Sequence, residues 1–153
     1  MIETGQNIKN NKSAMAFVPR GDSMWPFLKD KQQTVIIEKN TERLKVYDVA
    51  LYVRENGERI LHRVIEVLKD GYVVCGDSQN TPETVKEEQI IGVMAGYYSG
   101  KKYVDVKNVC YRKKVKKFYS NCRQRNIRLK FFFFKKRVKN KLKRLFKVKD
   151  KNV

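Results

Sequence analysis

Ser23 lies in the segment Gly21-Asp22-Ser23-Met24-Trp25-Pro26-Phe27-Leu28, and the chain's single histidine, His62, lies in Leu61-His62-Arg63-Val64. Together these two residue types can carry out nucleophilic hydrolysis. A serine hydroxyl is a poor nucleophile at neutral pH and needs a neighbour to take its proton. An imidazole with an ordinary pKa of about 6.5 is neutral often enough at pH 7 to do so. An acidic side chain on the far side of the ring would hold its tautomer and stabilise the imidazolium. If the mechanism is Ser-His, there is one base to choose from. Cys75 falls on the same expected sheet face as His62 and leaves a cysteine nucleophile as an alternative.

The elements that must position these residues read as short strands. Thr34 to Glu38 is a β-branched run, and Val46 to Arg54 mixes Val, Leu and Tyr with polar residues. Further runs follow at Arg59 to Leu68, Tyr72 to Cys75 and Ile90 to Tyr98. Asn56-Gly57 and Asp70-Gly71 punctuate them, and both dipeptides favour two-residue hairpin turns. Taken as the loops, they set His62 opposite Leu51 and Val64 opposite Asp77. Side chains alternate across a strand, so His62 and Asp77 become diagonal neighbours with Cα atoms roughly 7–8 Å apart. Asp77 is thus the acid that this geometry puts forward.

Charge divides the chain in two. Of 153 residues, 35 are Lys or Arg and 16 are Asp or Glu, for a net charge of +19. Residues 101–153 hold 22 of the basic residues and two acids, a net of +20, which leaves 13 basic and 14 acidic residues before them. Apolar residues in this tail recur every three to five positions (Tyr111, Val115, Phe118, then Leu129, Phe133, Val138) among Lys and Arg, the pattern of basic amphipathic helices. Such helices lie in an anionic membrane interface, where Phe131 to Phe134 would insert. Dense positive charge marks the cytoplasmic side of a membrane. Nucleic acid is the other anionic partner to weigh, but no helix-turn-helix or other nucleic-acid module is visible. No apolar run approaches the ~17–25 residues of a spanning helix, and residues 1–20 carry no secretory signal core. Three widely spaced cysteines (Cys75, Cys110, Cys122) fit neither a disulfide framework nor a zinc ribbon.

The Ser23 segment resembles the S-M-x-P nucleophile box of the signal peptidase I superfamily, which includes the LexA-type self-cleaving repressors. Four more segments follow in the family's order over roughly residues 17–100. Tyr47-Asp48-Val49-Ala50-Leu51-Tyr52 resembles its G-D-[IV]-V-x-[FY] strand, and Leu61 to Ile65 its general-base strand. Gly76-Asp77 resembles the opening of its last motif, and Gln89 to Val93 its closing strand. A histidine at the base position is similar to the Ser-His branch found in the endoplasmic reticulum, archaea and some Gram-positive bacteria. Departures are Tyr47 in place of the usual glycine, a final motif without the S-x-D-S-R ending, and no membrane-spanning helix of the signal-peptidase kind.

The resemblance implies a serine endopeptidase of signal-peptidase type that cleaves leader or signal peptides. Ser23 would be the nucleophile, His62 the base, and Asp77 the orienting acid. Glu83, about six residues past the Gly-Asp pair, is the second candidate acid. The Ser23 N–H would serve the oxyanion, with Gly21, Asp22, Met24, Trp25 and Pro26 around the oxyanion and substrate. Gly21 stands where the family often has a hydroxyl. No metal or organic cofactor is implied. The expected architecture is a mainly β, barrel-like folded sheet over 14–106, after a loose 1–13 and before a basic helical tail over 107–153. The expected location is the cytoplasmic face of a membrane, held peripherally. The alternative is a non-catalytic basic protein that binds membrane or nucleic acid on a degenerate peptidase fold.

Overall fold

A computed structural model describes residues 14–121 and Val138. It contains strands β1 (Ala14–Phe17), β2 (Gln33–Glu38), β3 (Val49–Val53), β4 (Arg59–Leu68), β5 (Gly71–Cys75), β6 (Glu83–Lys86), β7 (Ile90–Ser99) and β8 (Lys102–Asp105), then helix α1 (Val109–Ser120). The eight strands form one antiparallel sheet in the order β1-β2-β7-β3-β4-β5-β6, with β8 also paired to β7. The mainly β expectation holds, but among the described residues the sheet ends at β1 and β6 and does not close into a barrel. β7 is long enough to share one edge between β3, at Ile90 to Val93, and β8, at Gly96 to Ser99.

The central strands are covered on both faces, and their sequences show it. Gln33–Glu38 and Val49–Val53 are nearly continuous in buried residues, as expected where neither face meets water. One core cluster joins Leu44, Ala50, Tyr52, Val64, Tyr72, Val74 and Val85. Burying each of its valines is worth roughly 1.5–3 kcal/mol, which ties β3 to β6 into one unit.

Both hairpins differ from the expected turns. Between β3 and β4, Leu51 pairs with Leu61 and Ala50 with His62. The Arg54 N–H bonds the Glu58 carbonyl at 2.9 Å and the Gly57 N–H bonds the Arg54 carbonyl at 2.8 Å, closing a three-residue Glu55-Asn56-Gly57 loop. Gly57, at φ 80°, occupies the left-handed position that such a loop requires. The loop between β4 and β5 is Lys69-Asp70, because Gly71 already pairs with Leu68. A bulge between Val64 and Glu66 then sets Val64 opposite Val74, not Asp77.

Residues to Lys113 form one compact unit and those from Lys114 a second. The unit boundary falls inside α1, and the sheet belongs to the first unit. Of the expected basic helical tail over 107–153, the described part is 107–121, which includes α1, and Val138. Phe131 to Phe134 and the rest of that tail, Val138 excepted, lie outside the described residues, as does the expected loose segment 1–13. Among the described residues no helix is long and apolar enough to cross a membrane.

Candidate active site

Ser23 sits in the turn-rich connection between β1 and β2. Gly21 adopts φ 91°, a conformation that strains any residue with a Cβ, and its N–H bonds the Asp30 carboxylate at 2.7 Å. This backbone accounts for a glycine at position 21. The following turn is closed by bonds from the Trp25 N–H to the Asp22 carbonyl (3.0 Å) and the Leu28 N–H to the Met24 carbonyl (2.9 Å). It buries Met24 and Leu28 and leaves Pro26 exposed.

The Gly76-Asp77-Ser78 segment holds this turn in place. The Ser78 N–H bonds the Ser23 carbonyl at 2.8 Å, and the Ser78 hydroxyl lies 3.1 Å from the same oxygen and 2.7 Å from the Asp22 carbonyl. A Cβ on Gly76 would lie 2.7 Å from the Ser23 carbonyl oxygen, so the close approach of the two segments depends on glycine. Among the described residues, the Ser23 N–H and hydroxyl make no hydrogen bond.

His62 is carried by β4 and is 4% exposed. Its Nδ1 lies 3.1 Å from the Tyr52 hydroxyl and 3.2 Å from Glu83 Oε1. Tyr52 donates its own proton to Glu83, so its oxygen can only accept from the ring. An ionised carboxylate also only accepts. Both neighbours therefore demand a proton on Nδ1, which leaves Nε2 unprotonated in the neutral ring. Arg54 clamps the carboxylate from the other side, with Nε 2.9 Å from Oε2 and Nη2 2.8 Å from Oε1. These Arg54 hydrogen bonds hold the Glu83 pKa below its usual value. Burial pushes the His62 pKa below 6.5, with Glu83 pulling the other way, and burial also pushes the Tyr52 phenol far up. The ring is thus neutral at pH 7, with its orientation set by Tyr52 and Glu83.

Asp77 is engaged elsewhere. Its two oxygens accept from Arg63 Nε (2.8 Å) and Nη2 (2.7 Å), and both side chains are fully buried. Arg63 also donates to the Tyr47 carbonyl (2.9 Å), lies 3.2 Å from the Tyr111 hydroxyl and sits 4.9 Å from the centre of the Phe27 ring. Successive strand residues point to opposite faces, so the arginine next to His62 reaches a different set of partners. The expected His62–Asp77 pairing is corrected accordingly, and Glu83, opposite Val74 on β6, is the acid beside the ring.

Ser23, His62, Gly21 and Met24 line one cavity of about 630 Å³, with apolar walls that include Phe17, Leu51 and Leu61. Asp22, Trp25 and Pro26 are not part of that lining. No hydrogen bond joins Ser23 to His62. Cys75 is buried, and its thiol donates to the Gln79 carbonyl at 3.4 Å. Sequence reasoning passed over Tyr52, Arg54, Arg63 and Ser78. Tyr52 stood in the quoted strand motif, and a hairpin register one residue different would have placed it beside His62. Among the described residues, no group of His, Cys, Asp and Glu is placed to hold a metal ion. The chain matches no protein-family model and no curated protein.

Proposed function

We propose that the chain is a serine endopeptidase of signal-peptidase type, acting on an extended leader or signal peptide. The observation that carries this reading is the imidazole whose Nδ1 is held by Tyr52 and Glu83, on the cavity that Ser23 also borders. Nε2 of His62 takes the proton of Ser23 as the hydroxyl attacks the scissile carbonyl, then returns it to the leaving amine. Glu83, kept ionised by Arg54, stabilises the imidazolium formed in between. The unbonded Ser23 N–H is available to the oxyanion. The hydroxyl and the ring come within hydrogen-bonding distance in the substrate complex, since such contacts tighten on binding. Five ordered sequence segments similar to the signal peptidase and LexA superfamily support the same reading, as does the way the Gly76 segment anchors the Ser23 turn. On this reading the basic segment 107–153 brings the protein to the anionic cytoplasmic face of a membrane.

The missing Ser23–His62 hydrogen bond favours the second reading, a non-catalytic basic binding protein on a peptidase-like fold. One experiment separates them: mapping protein N-termini in the native host carrying wild-type, Ser23→Ala or His62→Ala protein. A peptidase yields N-termini that vanish in both variants and thereby names its substrates. Identical maps from equally abundant proteins would end the peptidase reading.

A further inference from the structure

The wall of the cavity beside Ser23 carries more cations than acids. Residues 1–100 hold 13 basic and 14 acidic residues, so an average patch there is neutral. The cavity wall instead carries Arg20, Lys29, Arg54 and Arg59 against the single acid Glu58. Arg54 is already shared between Glu58 and Glu83. Counting Glu83 against the wall still leaves a net of +2. The other three cations are exposed, and their side chains have no hydrogen-bond or ion-pair partner among the described residues. They are also placed around the chemistry: Arg20 is three residues before Ser23, Arg59 three before His62, and Lys29 follows the buried Leu28 that closes the Ser23 turn. Phe17, Leu51 and Leu61 line the same cavity. Among the described residues β1, which leads into Arg20, pairs with β2 alone. Its other edge can accept an added strand.

We infer that this cavity selects peptides with an apolar residue at the site and acidic residues flanking it, read by Arg20, Lys29 and Arg59. The inference rests on the peptidase reading for the location of the scissile bond, and on the charge of the cavity for the sequence preference. A glutamate beside the anchor finds an opposite charge, whereas a lysine there meets like charge, which raises the cost of the wrong partner.

The test uses the full-length Ser23→Ala protein and fluorescein-labelled peptides that share one apolar centre, with flanks of Glu, Gln or Lys. Fluorescence anisotropy should show the Glu peptide bound roughly three- to tenfold more tightly than the Gln peptide, as expected for a few partly exposed charge contacts. Since the basic tail also attracts acidic peptides, the deciding comparison is Arg20→Gln/Arg59→Gln with the tail intact. The Glu preference should collapse in that variant, and in Lys29→Gln fall part of the way. A preference that survives the double variant unchanged overturns the inference. Both positions are exposed, and an unchanged His62 NMR signal confirms that the variant is folded. Cleavage by protein with Ser23 intact is read separately. Binding through these cations without cleavage would keep the inference and end the peptidase reading, and cleavage with no Glu preference would do the reverse.

Discussion

The two nitrogens of His62 have different surroundings, and that difference is a measurable claim. Nδ1 faces the Tyr52 hydroxyl and Glu83, both acceptors toward the ring. Nitrogen-15 spectra at neutral to alkaline pH should therefore show a protonated Nδ1 and a bare Nε2. The assignment is unambiguous because the chain has one histidine. A protonated Nε2 would refute the proposed base. Glu83→Gln removes the carboxylate that pulls the His62 pKa up against burial, so the ring should titrate at still lower pH. Any proteolytic rate should fall by about 10²–10⁴-fold, with its acid limb moved to lower pH. An unmoved titration would show that Glu83 does not act on the ring. Stability carries the same sign. The unfolded ring binds its proton at about 6.5 and the folded ring only at lower pH, so in that window the unfolded state holds more protons and stability falls as pH drops below 6.5. Urea midpoints measured on either side of that window should show the loss, and His62→Gln should remove it. The serine and histidine were legible as residue types in the sequence. The tyrosine bridging the ring to its acid was not, since nothing in a strand motif announces a side-chain hydrogen bond.

At the scale of elements, hairpin register decides which side chains lie beside the ring. Asn-Gly is the strongest short hairpin signal, and it did mark the turn between β3 and β4. The loop nevertheless takes three residues, with Gly57 as its left-handed third position. A one-residue slip moves every side chain to the other face, so the sequence register set Leu51 opposite His62 where Ala50 stands. The Val64–Glu66 bulge adds a second offset and separates Asp77 from Val64. Strands rich in Val and Ile were visible in the sequence, while β6 and β8, four residues each, carry too short a pattern to read. The consequence for Asp77 is testable. Asp77→Ala leaves the Arg63 guanidinium buried without its bidentate partner, and breaking a buried pair in this way costs about 3–5 kcal/mol. Urea unfolding should register that loss, and the His62 titration should move down less than in Glu83→Gln, since Asp77 is the smallest of the influences on the ring. A stable Asp77→Ala protein with a His62 titration displaced as far as in Glu83→Gln would return Asp77 to the site.

Across the whole molecule, charge is segregated more sharply than in an ordinary globular chain: residues 101–153 carry a net of +20 beside a nearly neutral remainder. That division was readable from composition alone, because it needs no register and no packing. What the charge meets is a separate matter of chemistry. An anionic bilayer offers both a negative surface and an apolar layer, and the tail supplies both counterparts, basic residues and the four phenylalanines Phe131 to Phe134. Each basic residue near such a surface adds roughly 1 kcal/mol, so even a handful would raise vesicle binding by several orders of magnitude. Full-length protein should therefore sediment with phosphatidylserine-containing vesicles and not with neutral ones. Salt should weaken the binding, because the attraction is screened over about 10 Å at 0.1 M. Replacing Phe131 to Phe134 by serine leaves the charge untouched and separates the partners. Vesicle binding should drop if the rings enter the bilayer, whereas binding to duplex DNA, which depends on the number of phosphates neutralised, should stay unchanged. Equal binding of the serine variant and wild type to vesicles would leave pure electrostatics as the attraction. The case for a membrane over any other polyanion would then be lost.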